Sequence, residues 1–300
     1  MIGILELVKD LVLLSAGVSI LNVAANFWNK TIGIAFTLLG EDIDSFAGGE
    51  PIALIDKIQP CFVAIGTTML VLFFLYGLFE SSFEDTRFDM YTIVKSIVSL
   101  ILAEFLMSNS RMILSGVLSV VGGLMLQISG SSFDGLQLST SDIFGSMQVW
   151  SDANFIEQLI VLILCLITAL VMMICAGILV YVVYFRYVKI LFALPFAPLA
   201  ISSMSGPPEI KRTGLQYFKY FIVLALEAVG IMIAILICNA LLKGGIPTLE
   251  NAVLGSMQNA SASTLAFTRI LLEMFKNIFT CCLTVASAKG SEQLLQKMIG

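Results

Sequence analysis

Two long uncharged runs, Ile58–Phe79 and Leu159–Phe185, set the scale of this chain. The first has 22 residues, about 33 Å of helix at about 1.5 Å per residue. A hydrocarbon core about 30 Å thick needs roughly 20 helical residues, so both runs are transmembrane candidates. Pro60 is expected to open the first span, where a helix start tolerates proline. A second span begins near Ile93 and is interrupted by Glu104 and Arg111, which lie seven apart on one helix face and can pair. Further along it, Ser115, Ser119 and Gly123 form a small-residue stripe of the kind that lets helices approach closely. Two more apolar stretches, about 220–242 with Glu227 and about 265–288, complete five spans. In the last, Arg269, Glu273 and Lys276 recur at i, i+4 and i+7 and can neutralise one another.

Ahead of these spans, residues 1 to 40 read as one helix. Ser15, Ser19, Asn22, Asn26 and Asn29 recur at spacings of four and three, which draws one polar stripe along an apolar cylinder. Such a helix lies in the membrane interface or stands among other helices with its stripe inward; residues 11 to 29 are also uncharged and offer a sixth span. The Gly-rich acidic stretch GEDIDSFAGGEP follows, so residues 1–57 separate from a transmembrane domain over 58–300. The expected fold is an all-α polytopic membrane protein: about five transmembrane helices, a Pro-containing re-entrant or in-plane segment and an N-terminal amphipathic helix.

Composition agrees with that environment. Hydrophobic residues make up 58% and charged residues 12% of the 300, against about 25% charged in soluble domains. The net charge of −5 decides little, because in a membrane protein the side on which a charge lies matters more than the sum. The six cysteines fall in apolar runs and read as small buried hydrophobes.

Lys and Arg are enriched in cytoplasmic loops. Arg87 and Lys95 lie between the first two spans, whereas the loop at about 129–156 holds Asp134, Asp142 and Asp152 and no base, which places it outside. Arg186 and Lys189 then fall inside. The stretch RYVKILFALPFAPLAISSM follows from Arg186, with Pro195 and Pro198 at its centre. If 190–204 crossed, the basic segment at about 205–219, with Lys211, Arg212 and Lys219, would lie outside. If it dips in and returns, these residues stay in the cytoplasm, and so does the C-terminus, with the N-terminal region mainly extracytoplasmic. Interior prolines remove helical hydrogen bonds and break or kink the rod, which favours the dip; the alternative is a short kinked span.

Candidate chemistry is sparse. Histidine is absent, which removes the commonest general base and metal ligand. No Walker loop, GxSxG or calcium-loop pattern occurs, so neither an enzyme nor a bound cofactor or metal is expected. Intramembrane charges carry a functional reading because burying them is costly, which singles out Glu227 and Glu104. The cluster Arg186, Lys189, Lys211, Arg212 and Lys219 fits a topology determinant in contact with anionic lipid, a docking surface, or a nucleic-acid contact.

The order of elements resembles the TrbL-type polytopic inner-membrane subunit of type IV secretion and conjugal transfer systems, in its Gram-positive branch. LLSAGVSILNVAANFWNKTIGIA is similar to that family's N-terminal amphipathic segment, and IQPCFVAIGTTMLVLFFLYGLFE to its first span. YTIVKSIVSLILAEFLMSNSRMIL is similar to the helix after the following loop. RYVKILFALPFAPLAISSM with GLQYFKYFIVLALEAVGIMIAI resembles its Arg-headed, Pro-containing core. Glu227 departs from the pattern, where that family often carries glutamine. The resemblance implies a non-enzymatic channel or scaffold subunit that helps DNA or protein cross the cytoplasmic membrane. It would assemble as a homo-oligomer with membrane lipids, with the system's other membrane subunits and ATPases, and with transferred single-stranded DNA. Pro195 and Pro198 would then line or brace the channel. A secondary transporter using Glu227 and a purely structural scaffold are the alternative readings.

Overall fold

The computed structural model describes residues 2–84, 90–129, 138, 155–256 and 262–299. Seven α-helices account for nearly all of them: α1 (Ile2–Gly40), α2 (Glu50–Glu84), α3 (Met90–Ser108), α4 (Ser110–Ser129), α5 (Phe155–Ser202), α6 (Pro208–Ser256) and α7 (Ala262–Ile299). No strand occurs among the described residues. Five helical segments are long and apolar enough to cross a membrane, namely Phe46–Glu80, Ser110–Ile128, Gln158–Ser205, Pro208–Cys238 and Thr264–Met298. The chain is a multi-pass membrane protein. The acidic loop expected at 129–156 and Arg87 lie outside the described residues, apart from positions 129, 138, 155 and 156.

The chain divides into two compact units, each discontinuous in sequence. One comprises Met1–Leu38, Ser129–Val183 and Ile231–Ser291. Its α1 buries Val18, Leu21, Ala24, Ala25, Trp28, Ile32 and Ala35, at spacings that keep them on one helical face. Gly17 brings α1 against α5, where its Cβ would meet Cys165 Sγ at 3.5 Å. The α5 and α7 segments meet at Cys175 and Cys282, with sulfurs 3.9 Å apart. The α6 and α7 segments meet where Cys238 Sγ donates to Ser287 Oγ at 3.1 Å. Lys276 pairs with Glu273 at 3.4 Å as the charge spacing predicts, while Arg269 is exposed.

The other unit comprises Leu39–Ile128, Tyr184–Gly230 and Glu292–Gly300. Leu70, Ala103, Met107 and Ile201 form its buried centre, with Leu100, Leu106, Met204 and Phe218 packed on it. Around that centre α3 turns Val94, Ile97, Val98, Ile101, Leu102 and Phe105 outward. In a membrane protein such an exposed apolar face meets hydrocarbon or another apolar surface.

Several expectations are corrected. α2 starts at Glu50, not at Pro60, so Pro60 is an interior residue; Pro51 occupies the first turn, where its missing N–H costs no helical bond. The expected second span divides into α3 and α4 at Asn109. Arg111 pairs with Asp56 and, at 3.9 Å, with Asp44, instead of with Glu104, because the aspartates flank it from the start of α2 and the loop before it. Glu104 is exposed on α3. In the stripe Ser115, Ser119 and Gly123, the glycine has no close helix contact among the described residues, since a Cβ there would meet nothing within 4 Å. Of the six cysteines four are buried, but Cys61 and Cys282 are exposed.

Candidate functional site

Within the second unit the chain forms a helical hairpin. Its first leg is the end of α5, its second the start of α6, and its tip a 3₁₀ turn at Ser203–Ser205 followed by extended Gly206. α5 runs through Pro195 and Pro198 without interruption, and both prolines are buried. The expected break therefore falls beyond Ser202, where Pro207 and Pro208 stand at the head of α6. Each interior proline leaves one carbonyl of the preceding turn without its helical donor. Those are the carbonyls of Leu191 and Leu194; beside them the Tyr217 hydroxyl, arriving from α6, donates to the Ala193 carbonyl at 2.7 Å.

Glycine allows the legs to touch. A Cβ at Gly214 would stand 2.7 Å from the Ala200 carbonyl oxygen, and one at Gly66 of α2 would stand 3.1 Å from that of Pro198. Such distances leave no room for a side chain, so these positions bring backbone against backbone. The buried tip serines satisfy themselves locally or across the unit. Ser202 donates to Leu199 O, Ser203 to Ala200 O, and the single Ser205 O–H has two acceptors in reach, Leu70 O at 3.0 Å and Ser202 O at 2.9 Å. Ser99 of α3 donates to Met204 O at 3.4 Å and receives Lys211 Nζ at 3.3 Å. The tip thus lies beside α2 between Leu70 and Gly77, where Pro207 approaches Gly77.

At the other end of the hairpin Lys189 reaches Glu227 Oε1 at 3.0 Å, its Oε2 at 3.3 Å, and Glu292 Oε1 at 2.6 Å. Glu227 is 3% exposed. The sequence groups Lys189 with the bases read as a topology determinant, a docking surface or a nucleic-acid contact; the structure makes it the internal partner of two carboxylates, because the antiparallel legs bring α5 and α6 side by side there. A charge in low dielectric requires such a partner, and Glu227 and Lys189 answer one another.

Two residues before Lys189 lies an aromatic anchor. Tyr187 donates its hydroxyl to the Glu41 carbonyl at 2.9 Å and stacks on Phe46 with centroids 3.9 Å apart. Phe46 heads a turn in which Ala47, Gly48 and Gly49 all have positive φ, a conformation that glycine adopts without steric cost. Beside the anchor is a cavity of about 300 Å³. Arg186 lines it, 5% exposed, and among the described residues its Nε and Nη1 have no hydrogen-bond partner.

The remaining basic residues separate. Lys211 is half-buried on Ser99, whereas Arg212 and Lys219 are exposed and line a groove of about 430 Å³ with Tyr220 and Gln296. In the first unit the N-terminal stripe faces away from the buried face of α1: Ser15, Ser19 and Asn26 are exposed, Asn22 and Asn29 half-buried. Asn29 clamps the backbone of Leu138 at both ends, accepting from its N–H at 3.0 Å and donating to its carbonyl at 3.3 Å. Sequence reading missed Tyr187, Phe46, Glu41 and Glu292. Their partners lie far along the chain, so no local spacing signals them. Among the described residues no group of histidine, cysteine and carboxylates is placed to hold a metal.

No protein family, curated protein or solved structure matches this chain.

Proposed function

We propose that this chain is an integral membrane channel or scaffold subunit of a type IV secretion machine, helping DNA or protein cross the cytoplasmic membrane. The observation that carries the reading is the proline hairpin: a rigid, buried-serine tip held against α2 and α3, with Arg212 and Lys219 exposed on the return leg. That arrangement suits a subunit which offers basic residues to a partner ATPase or to a phosphate backbone. The order of hydrophobic and basic elements, similar to TrbL-type subunits, supports the same conclusion. Several copies, with membrane lipid and the other membrane subunits, complete the path in this reading.

The hairpin also supports a topology. Its legs run alongside the apolar length of α2, from the Glu41–Phe46 loop to Gly77. With α2 across the bilayer, Lys211, Arg212 and Lys219 share the cytoplasmic side with Lys95, and the acidic 41–49 loop is extracytoplasmic. The C-terminal residues, which leave Glu292 and reach the Arg212 groove at Gln296, run toward the cytoplasm.

The test is DNA transfer from donor cells after clean deletion of the gene, with complementation. Loss of transfer restored by the wild-type chain, but not by the double variant Arg212→Glu/Lys219→Glu, is the expected result. Normal transfer in the deletion strain overturns the conjugation reading. The buried Lys189, Glu227 and Glu292 cluster favours one second reading, a secondary transporter, which predicts solute or ion flux by the isolated chain in vesicles.

A further inference from the structure

The cavity at Arg186 is the feature that neither the topology nor the secretion reading uses. A buried arginine normally has its N–H groups satisfied, and each exception needs an explanation. Here the guanidinium stands 5.3 Å from the Tyr187 ring centroid, yet among the described residues Nε and Nη1 are both buried without a hydrogen-bond partner, at the wall of a cavity of about 300 Å³, within the roughly 300–1,000 Å³ of small-ligand sites. Glu41 and Asp42 line the same cavity, Asp42 being exposed. The hydrogen bond from Tyr187 to the Glu41 carbonyl ties this acidic rim to the helix that carries Arg186. The lining therefore combines a buried cation with two acidic residues.

The rest of the lining is apolar or small. Leu118, Leu126 and Ile190 contribute hydrocarbon, and Leu126 is 69% exposed, so the cavity opens on an apolar surface of α4. Space exists because α4 offers Gly122 and Gly123 here: a Cβ at either would meet nothing within 4 Å. The small-residue stripe serves to leave a hollow.

We infer that this cavity binds the zwitterionic headgroup of an amino-phospholipid, phosphatidylethanolamine in kind, with its phosphate on Arg186 and its ammonium at Glu41 and Asp42. A phosphodiester carries one negative charge and accepts bidentate hydrogen bonds from a guanidinium. The glycerol of phosphatidylglycerol would offer the carboxylates neutral hydroxyls without a cation, and phosphatidylcholine would bring a quaternary ammonium that has no N–H to give them. The acyl chains leave over Leu126 into the surrounding hydrocarbon. This inference rests on membrane residence alone and stands apart from the secretion reading.

The experiment is native mass spectrometry of the full chain released from nanodiscs holding equal phosphatidylethanolamine, phosphatidylglycerol and phosphatidylcholine. The wild-type chain is expected to retain phosphatidylethanolamine selectively. Arg186→Gln should lower that occupancy by about tenfold or more, the effect of losing hydrogen bonds to a charged group. Gly122→Phe fills the hollow without touching Arg186 and should do the same, so it carries the test if Arg186→Gln does not fold. Glu41→Gln/Asp42→Asn should move the preference toward phosphatidylglycerol. Retention independent of headgroup, a wild-type preference for phosphatidylglycerol, or unchanged retention in folded Gly122→Phe overturns the inference. Inorganic phosphate added to delipidated protein checks the source: phosphate binding without headgroup selectivity also overturns it.

Discussion

Gly214 is where the two legs of the hairpin come closest, and its replacement is the sharpest test at the scale of a residue. A Cβ there would fall 2.7 Å from the Ala200 carbonyl oxygen and 2.8 Å from Ser203 Oγ. Backbone cannot yield as a flexible side chain can, so Gly214→Ala should destabilise by about 1–3 kcal/mol, the usual cost of overpacking. Gly116→Ala is the matched control, because its Cβ would meet nothing within 4 Å, and it should leave stability unchanged or raise it by up to about 1 kcal/mol, the helix-propensity gain of alanine over glycine. Thermal unfolding of the purified chain in one detergent separates the two; equal effects would show that the legs do not touch at Gly214. Lys189→Met leaves Glu227 buried without its cation and should cost about 3–5 kcal/mol in the same assay. Of these residues, Glu227 was legible in the sequence as a charge out of place. Gly214 and Gly66 were not, because spacing selects small residues on a face without showing which of them meets another backbone. That is why the stripe at Ser115, Ser119 and Gly123 drew attention instead.

At the scale of the element, the helices themselves were legible and their ends were not. Length and apolarity announce α2, α5, α6 and α7, and the polar stripe announces α1. Propensity alone cannot place the turn after Ser202. Pro195 and Pro198 look like breakers locally, yet α5 continues through them, with tertiary partners such as Tyr217 on its last turns. Losing that single bond in Tyr217→Phe should cost about 1 kcal/mol, with the helix content by circular dichroism unchanged. Element pairing in the first unit is open to a covalent check. The sulfurs of Cys175 and Cys282 are 3.9 Å apart on α5 and α7, close enough to join with a small side-chain adjustment. Mild oxidation with copper-phenanthroline should form an intramolecular disulfide between them, seen as a linked peptide pair after digestion. The Cys282→Ser chain should not form it. Linkage of Cys282 to a second copy instead would mean that α7 turns this face toward a neighbouring chain.

For the whole molecule, composition already declared a polytopic membrane protein, and what it left undetermined was which bases weigh in the topology. The positive-inside rule counts charges in loops, yet Lys189 is held between Glu227 and Glu292, and Arg186 is buried. Neutralised or buried bases give a weak bias compared with exposed ones. The topology proposed above therefore rests on the exposed Arg212, Lys219 and Lys95, with Arg186 and Lys189 toward the opposite end of the hairpin. Two exposed positions mark those ends: Ser45 in the acidic loop and Glu209 at the head of α6. In a chain whose exposed Cys61 and Cys282 are replaced by serine, an impermeant maleimide applied to intact cells should label Ser45→Cys and spare Glu209→Cys. Inverted vesicles should give the reverse. Labelling of both from one side would mean that the hairpin returns within the bilayer. Its prolines would then serve a re-entrant tip, and the secretion path would have to be drawn around a hairpin that enters and leaves by the same face.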